Sequence, residues 1–271
     1  MPDIYSASFR DIQPNLVKAL GFRLGDKGTQ TSRTIMLEEL QHLLVTAPGK
    51  VERERYAQAV VDDNCLGKRT AATRVLSLQR LSELYALDPK VLLFRVMRDL
   101  WEIHEGSRPL LAMLLALARD PLLRFTAAPI LATPFGKEFA RQAMTDALDE
   151  AVGGRLNPET LDKVVRNASS SWTQSGHLQG RARKFRQPAG ATPVACAYAL
   201  LLGYLLGKRG LTLFDTPWCK VLDVPAEEIA ELAHDAKRMG LVEIKQSGSI
   251  VDISFPQLLT DKDRELFHGS Y

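Results

Sequence analysis

From Lys163 through Phe214 the sequence contains no Asp or Glu, yet it carries Lys163, Arg166, Arg181, Arg183, Lys184, Arg186, Lys208 and Arg209. At the chain's average of 32 acids in 271 residues, a window of that length would hold about six. Cations without internal carboxylates favour phosphate contact, as in a nucleic-acid backbone. The densest part is Gly176–Gln187, GHLQGRARKFRQ, where Arg181, Arg183, Lys184 and Arg186 supply charge and His177 lies among them. Upstream, Asn167–Ser175 offers hydroxyls and amides that can bond phosphate oxygens. A second acid-free stretch, Asn64 to Ser82, carries Lys68, Arg69, Arg74 and Arg80. There, Thr70, Thr73 and Arg74 fall on one face at the start of a helix, where a recognition helix places its base contacts.

The elements that must position these residues are mainly helical. Apolar spacing predicts helices over Ser32–Leu44, Glu52–Val61, Thr70–Ala86, Val91–His104 and Phe135–Val152, with short packed helices between. Gly153-Gly154 followed by Asn157-Pro158 reads as a boundary, with Pro158 in the first turn of the next helix. The last third gives an apolar helix at Pro193–Gly207 and a β-prone run at Leu211–Phe214. Helices follow near Trp218–Leu222 and over Pro225–Met239, then an alternating hairpin about Ser247-Gly248 within Leu241–Phe255. That order is the order of a winged helix. The expectation is a mostly α protein. Residues 1–153 form an N-terminal helical domain with a helix–turn–helix-like segment at 52–86. Residues 154–271 form a C-terminal winged-helix domain with a basic segment at 163–190.

Other chemistries lack support. Cys65, Cys196 and Cys219 have no paired spacing, which argues against a disulfide framework or a zinc finger and fits a reducing cytoplasm. The five histidines show no ligand spacing, Gly203–Arg209 falls short of a phosphate loop, and no serine sits in a nucleophile elbow. No catalytic residue, metal or cofactor is expected. The Met1–Tyr5 start has no leader pattern. Pro193–Gly207 is too short to span a bilayer, so it reads as a buried core helix of a cytoplasmic protein with no membrane partner.

The segment Asp63–Pro89, DNCLGKRTAATRVLSLQRLSELYALDP, resembles the corresponding part of the BrxA family of bacteriophage exclusion (BREX) systems, with the match falling on Asn64, Leu66, Lys68, Arg69, Thr70 and Thr73. Val164–Arg181 is similar to the family's second-half helix. The resemblance implies a non-enzymatic, double-stranded-DNA-binding accessory protein of phage defence. It would act beside a methyltransferase, a phosphatase-like subunit and an ATPase. The expected DNA-contacting residues are Lys68, Arg69, Thr70, Thr73, Arg74, Arg166, His177, Arg181, Arg183, Lys184 and Arg186. A protein-interaction scaffold and a transcriptional regulator are the alternatives.

Overall fold

A computed structural model describes residues 4–10, 12–248 and 250–268; residues 1–3, which open the N-terminal reading, and Ser249, within the expected Leu241–Phe255 hairpin, lie outside the described residues. The first half is helical: α1 (Ser6–Phe9), α2 (Pro14–Leu20), α3 (Leu37–Thr46), α4 (Arg53–Val61), α5 (Ala71–Tyr85), α6 (Leu92–Trp101), α7 (Arg108–Arg119), α8 (Pro121–Phe125), α9 (Ala127–Leu131) and α10 (Arg141–Val152). Then come α11 (Pro158–Gln174) and a two-stranded antiparallel hairpin, β1 (Leu178–Gln179) with β2 (Phe185–Arg186). The chain continues through α12 (Pro193–Leu205), α13 (Pro217–Lys220), α14 (Ala226–Arg238), a second antiparallel hairpin of β3 (Glu243–Ser247) and β4 (Ile250–Ser254), and α15 (Asp261–His268).

The apolar α12 is buried all round, which suits a helix with no polar face. It packs against α13 and α14 and against α6 and α7. The Tyr198 hydroxyl donates to the carbonyl of Leu93 at 3.0 Å, so α12 is stitched to α6 as well as packed on it. At about 1.5 Å per residue, its 13 residues reach about 20 Å. No helix among the described residues is long and apolar enough to cross a membrane. The buried apolar residues form one continuous cluster from Tyr5 to Leu259, which crosses the Gly153-Gly154 break.

Three expected elements differ. The helix expected from Ser32 begins at Leu37, because Thr29–Thr31 form a 3-10 turn whose place is fixed from elsewhere in the chain. Ile35 N–H donates to Ser171 Oγ at 3.0 Å, and Leu37 N–H to Gln174 Oε1 at 3.0 Å. The helix expected from Phe135 begins at Arg141. Residues 136–139 instead lie along β2, with Phe139 N–H on the Lys184 carbonyl at 2.7 Å and Arg186 N–H on the Lys137 carbonyl at 2.9 Å. The strand expected at Leu211–Phe214 is a 3-10 helix, Gly210–Leu213. Thr212 Oγ1 donates to the Arg209 carbonyl (2.7 Å) and accepts from its N–H (3.3 Å), which curls the backbone before it can pair. The segment still runs beside β4: a Cβ at Gly210 would sit 2.7 Å from the Val251 carbonyl oxygen.

Truncating Leu201, which is fully buried in α12, tests this core. Leu201→Ala is expected to cost about 2–5 kcal/mol in urea unfolding. A loss near zero would show that α12 does not carry the packing described.

Candidate nucleic-acid interface

Helix α11 is built to present one polar face. Asn157 caps it, accepting the Thr160 N–H at 2.8 Å, and Pro158 and Glu159 occupy the first turn, where a missing N–H and a negative charge are both favourable. Val164, Val165, Ala168 and Trp172 are buried, which turns Asp162, Arg166, Ser170 and Thr173 outward at helical spacing. Trp172 Nε1–H donates to Thr126 Oγ1 at 2.7 Å and so fixes the helix's rotation.

Facing this helix is the turn 180–184 of the β1–β2 hairpin. Gly180 is required there: its φ is +114°, and a Cβ would lie 2.1 Å from the Arg183 carbonyl oxygen. Between helix and turn lies a cleft of about 840 Å³. Its walls include Glu138, Arg141, Arg166, Arg181, Arg183 and Lys184, with Ser169, Ser170 and Phe139 also lining it. Arg183 is exposed, grips Glu138 through Nε (2.9 Å) and Nη2, and lies over the Phe185 ring. The hydrogen bonds that Arg183 donates, helped by its charge, hold the Glu138 carboxyl below the usual range. Arg141 and Arg166 share Asp162, the latter at 3.1 Å. Lys184 Nζ donates to Thr173 Oγ1 at 2.7 Å, and partial burial lowers its pKa. Arg181 is exposed and has no ion pair or hydrogen bond among the described residues.

Two expected contact residues are corrected. Arg186 is 1% exposed and faces the interior. Its Nε donates to the Ile130 carbonyl (2.9 Å), Nη1 to the carbonyls of His177 (3.2 Å) and Gln187 (2.5 Å), and Nη2 to Asp223 Oδ1 (2.5 Å). Each nitrogen of the guanidinium is engaged, and at this depth the group cannot reach DNA. His177 is fully buried, edge-on to Trp172 at 4.8 Å. Its Nε2 lies 2.9 Å from the Val221 carbonyl, which only accepts, so Nε2 carries the proton and Nδ1 accepts from the Ser175 hydroxyl at 2.8 Å. Burial drives its pKa down to about 3.

The 68–74 patch is separate, since the cleft takes none of its lining from it. Residues 62–70 join α4 to α5, a longer connection than the three or four residues of a helix–turn–helix. Thr70 is the N-cap of α5 and accepts the Thr73 N–H at 3.2 Å; the two hydroxyls lie 2.8 Å apart. Arg74 reaches back to the carbonyls of Lys68 and Val61 and braces the connection. Lys68 pairs with Glu39 at 3.2 Å, and Arg69 projects into solvent. Sequence reasoning missed Arg141, Glu138 and Asp162, which flank the acid-free window or lie well before it and join the site only through folding. Compared with known proteins, the chain matches no protein-family model and no curated protein.

Two measurements test these assignments. Arg186→Ala leaves Asp223 buried without its partner and is expected to cost about 3–5 kcal/mol, whereas Arg181→Ala should stay within about 0.5 kcal/mol of the parent. Equal effects would contradict the division into buried strut and surface cation. His177 gives a pH signature. Its folded pKa of about 3 lies below the ordinary 6.5, so protons bind preferentially to the unfolded chain. Stability is therefore complete above pH 6.5 and declines as pH falls toward 3. By about pH 5 the loss from this group should reach roughly 2 kcal/mol, and His177→Gln should remove that slope. A parental slope in the variant would assign the acid sensitivity elsewhere.

Proposed function

We propose that this chain is a DNA-binding accessory protein with no catalytic centre of its own, holding double-stranded DNA mainly through phosphate contacts. The observation that carries the reading is the convergence of Arg141, Arg166, Arg181, Arg183 and Lys184 on one cleft, with Ser169 and Ser170 also lining it. Arg forks match phosphate oxygens in two-point contact, and hydroxyls and backbone groups add positioning bonds without reading sequence. The α4–α5 segment serves as the second contact: its exposed Arg69 and capped helix start are what a base-reading element needs. The order α12, α13, α14, β3, β4 supports a winged-helix module, with Gly210–Leu213 beside β4 in the position of the first strand. The resemblance of Asp63–Pro89 to the BrxA family supports reading this as a cytoplasmic phage-defence role, beside methyltransferase, phosphatase-like and ATPase subunits.

One observation favours a scaffold role for the C-terminal module itself. Helix α14 exposes Glu227, Glu228 and Glu231, with Asp235 half-buried beside them, and these charges repel phosphate and leave that face to a protein.

The test is binding to two unrelated duplexes of about 30 base pairs across a salt series, where log affinity should fall by roughly 0.9 per log unit of salt for each phosphate neutralised. Replacing Arg166, Arg181, Arg183 and Lys184 together by Ala should weaken both duplexes alike and flatten the slope. Replacing Lys68 and Arg69 should instead erase any difference between the duplexes. A flat salt response of the parent, or parental binding by both variants, removes the DNA reading and leaves the scaffold.

A further inference from the structure

Every guanidinium lining the cleft except Arg181 is already held by a carboxylate. Arg183 meets both oxygens of Glu138, the two-point geometry with which the same fork takes a phosphate. Arg141 and Arg166 each take one oxygen of Asp162. The two carboxylates come from different segments, Glu138 from the stretch along β2 and Asp162 from the second turn of α11. The cations of the cleft thus hold two separate carboxylates, Glu138 within the lining and Asp162 just outside it, with the unpaired Arg181 in the same lining. The five paired side chains are between 41% and 71% exposed, so the pairs are weak in water and exchange readily.

We infer that the cleft binds a phosphodiester strand at two neighbouring phosphates, one replacing Glu138 at Arg183 and one replacing Asp162 at Arg141 and Arg166, so that Glu138 and Asp162 are internal competitors of the ligand. This inference rests on the nucleic-acid reading above. The competition selects the ligand class. A lone phosphate displaces one carboxylate and exchanges one weak pair for another, for little net gain. A strand delivers the second phosphate at high effective concentration once the first is seated, so only a covalently linked series of phosphates displaces both carboxylates together.

The inference predicts the sign of a substitution. Removing an acid beside a cation usually disorders the cation and weakens a site that depends on its orientation; removing a competitor strengthens it. Glu138→Gln, Asp162→Asn and the double variant are compared with the full-length parent by anisotropy of a labelled duplex, with thermal melting as the check on folding. Glu228→Gln, on the exposed face of α14, supplies the same change in net charge away from the cleft. Each cleft variant is expected to bind about fivefold tighter at moderate salt, with a salt slope steeper by roughly 0.9, and the double variant tighter still. Glu228→Gln should bind like the parent. Inorganic phosphate should compete poorly with the duplex on the parent and measurably better on the double variant.

Parental or weaker binding by both cleft variants overturns the inference and makes the carboxylates orienting groups. Equal tightening by Glu228→Gln overturns it too, since net charge alone would then explain the gain. In both cases salt-dependent binding of the parent leaves the nucleic-acid reading intact. If no variant and no parent binds duplex at low salt, that reading falls first and takes the inference with it.

Discussion

The buried pair of Arg186 and Asp223 is the constraint on which the candidate site depends. The β1–β2 hairpin that carries Arg181, Arg183 and Lys184 consists of two-residue strands and has no core of its own. A hairpin that short is not stable in water without support from neighbouring elements. Arg186 supplies it by joining α9 through the Ile130 carbonyl, the hairpin through His177 and Gln187, and the α13–α14 connection through Asp223. Asp223 also accepts the Ala189 N–H at 3.2 Å, and its backbone is held in the left-handed region at φ +67°. Burial pushes its carboxyl up against the pull of the guanidinium. Such a pair adds little net stability compared with apolar packing of the same shape, but either partner alone is strongly unfavourable. Its effect is therefore geometric: one arrangement of three segments is permitted, and that arrangement sets the height of the turn over α11.

The opposite wall has an equivalent anchor. Asp120 is buried between α7 and α8 and accepts N–H bonds from Thr29 (2.6 Å), Gln30 (3.3 Å) and Leu123 (3.0 Å). Burial raises its pKa, and the three backbone donors work against that shift. Gly28 is the neighbour this carboxylate needs, because a Cβ there would lie 2.0 Å from Asp120 Oδ1. From the fixed 3-10 turn, the Gln30 carbonyl receives Asn167 Nδ2, and its side-chain oxygen receives the Ser171 hydroxyl. The inner face of α11 is thereby locked in rotation, which leaves Arg166 and Ser170 on the cleft side. Each wall has an anchor away from the charges that face the ligand, although Lys184 also ties the turn to Thr173 of α11, so the paired arginines can change partners without releasing either wall.

Much of this fold was legible in the chain. Helices α4 and α5 and the β3–β4 hairpin follow from local periodicity and turn chemistry, with Thr70, Asp88-Pro89 and Gly248 at their ends, and α12 follows from its continuous apolar run behind Pro193. What escaped was decided at long range. The start of α3 is set by Ser171 and Gln174, more than 130 positions away. The start of α10 is set by pairing with β2, which no property of Phe135–Ala140 announces. Arg186 and His177 looked like members of a basic run because sequence shows a side chain's charge and not its direction. The strand register of β2 turns Arg186 inward while leaving Phe185 half-buried, and Asp223, its partner, is 37 residues downstream.

The acid-free window therefore gave the region of the site but not its membership. Of its eight basic residues, Arg166, Arg181, Arg183 and Lys184 line the cleft. Arg186 is consumed by the core, and Arg209 stacks on Tyr204 at 3.9 Å and donates to local carbonyls. Folding then adds what the window lacked, one more cation in Arg141 and two carboxylates in Glu138 and Asp162. A segment without acids in sequence becomes part of a cleft lined by five cations and Glu138, with Asp162 paired to two of those cations from just outside the lining. That partial neutralisation lowers the positive field that a wholly basic cleft would project, since an opposite charge a few ångströms away cancels most of what reaches beyond a Debye length of about 8–10 Å. Attraction then becomes short-ranged and depends on a ligand close enough to displace the carboxylates, which favours seated phosphates over diffuse association with any polyanion.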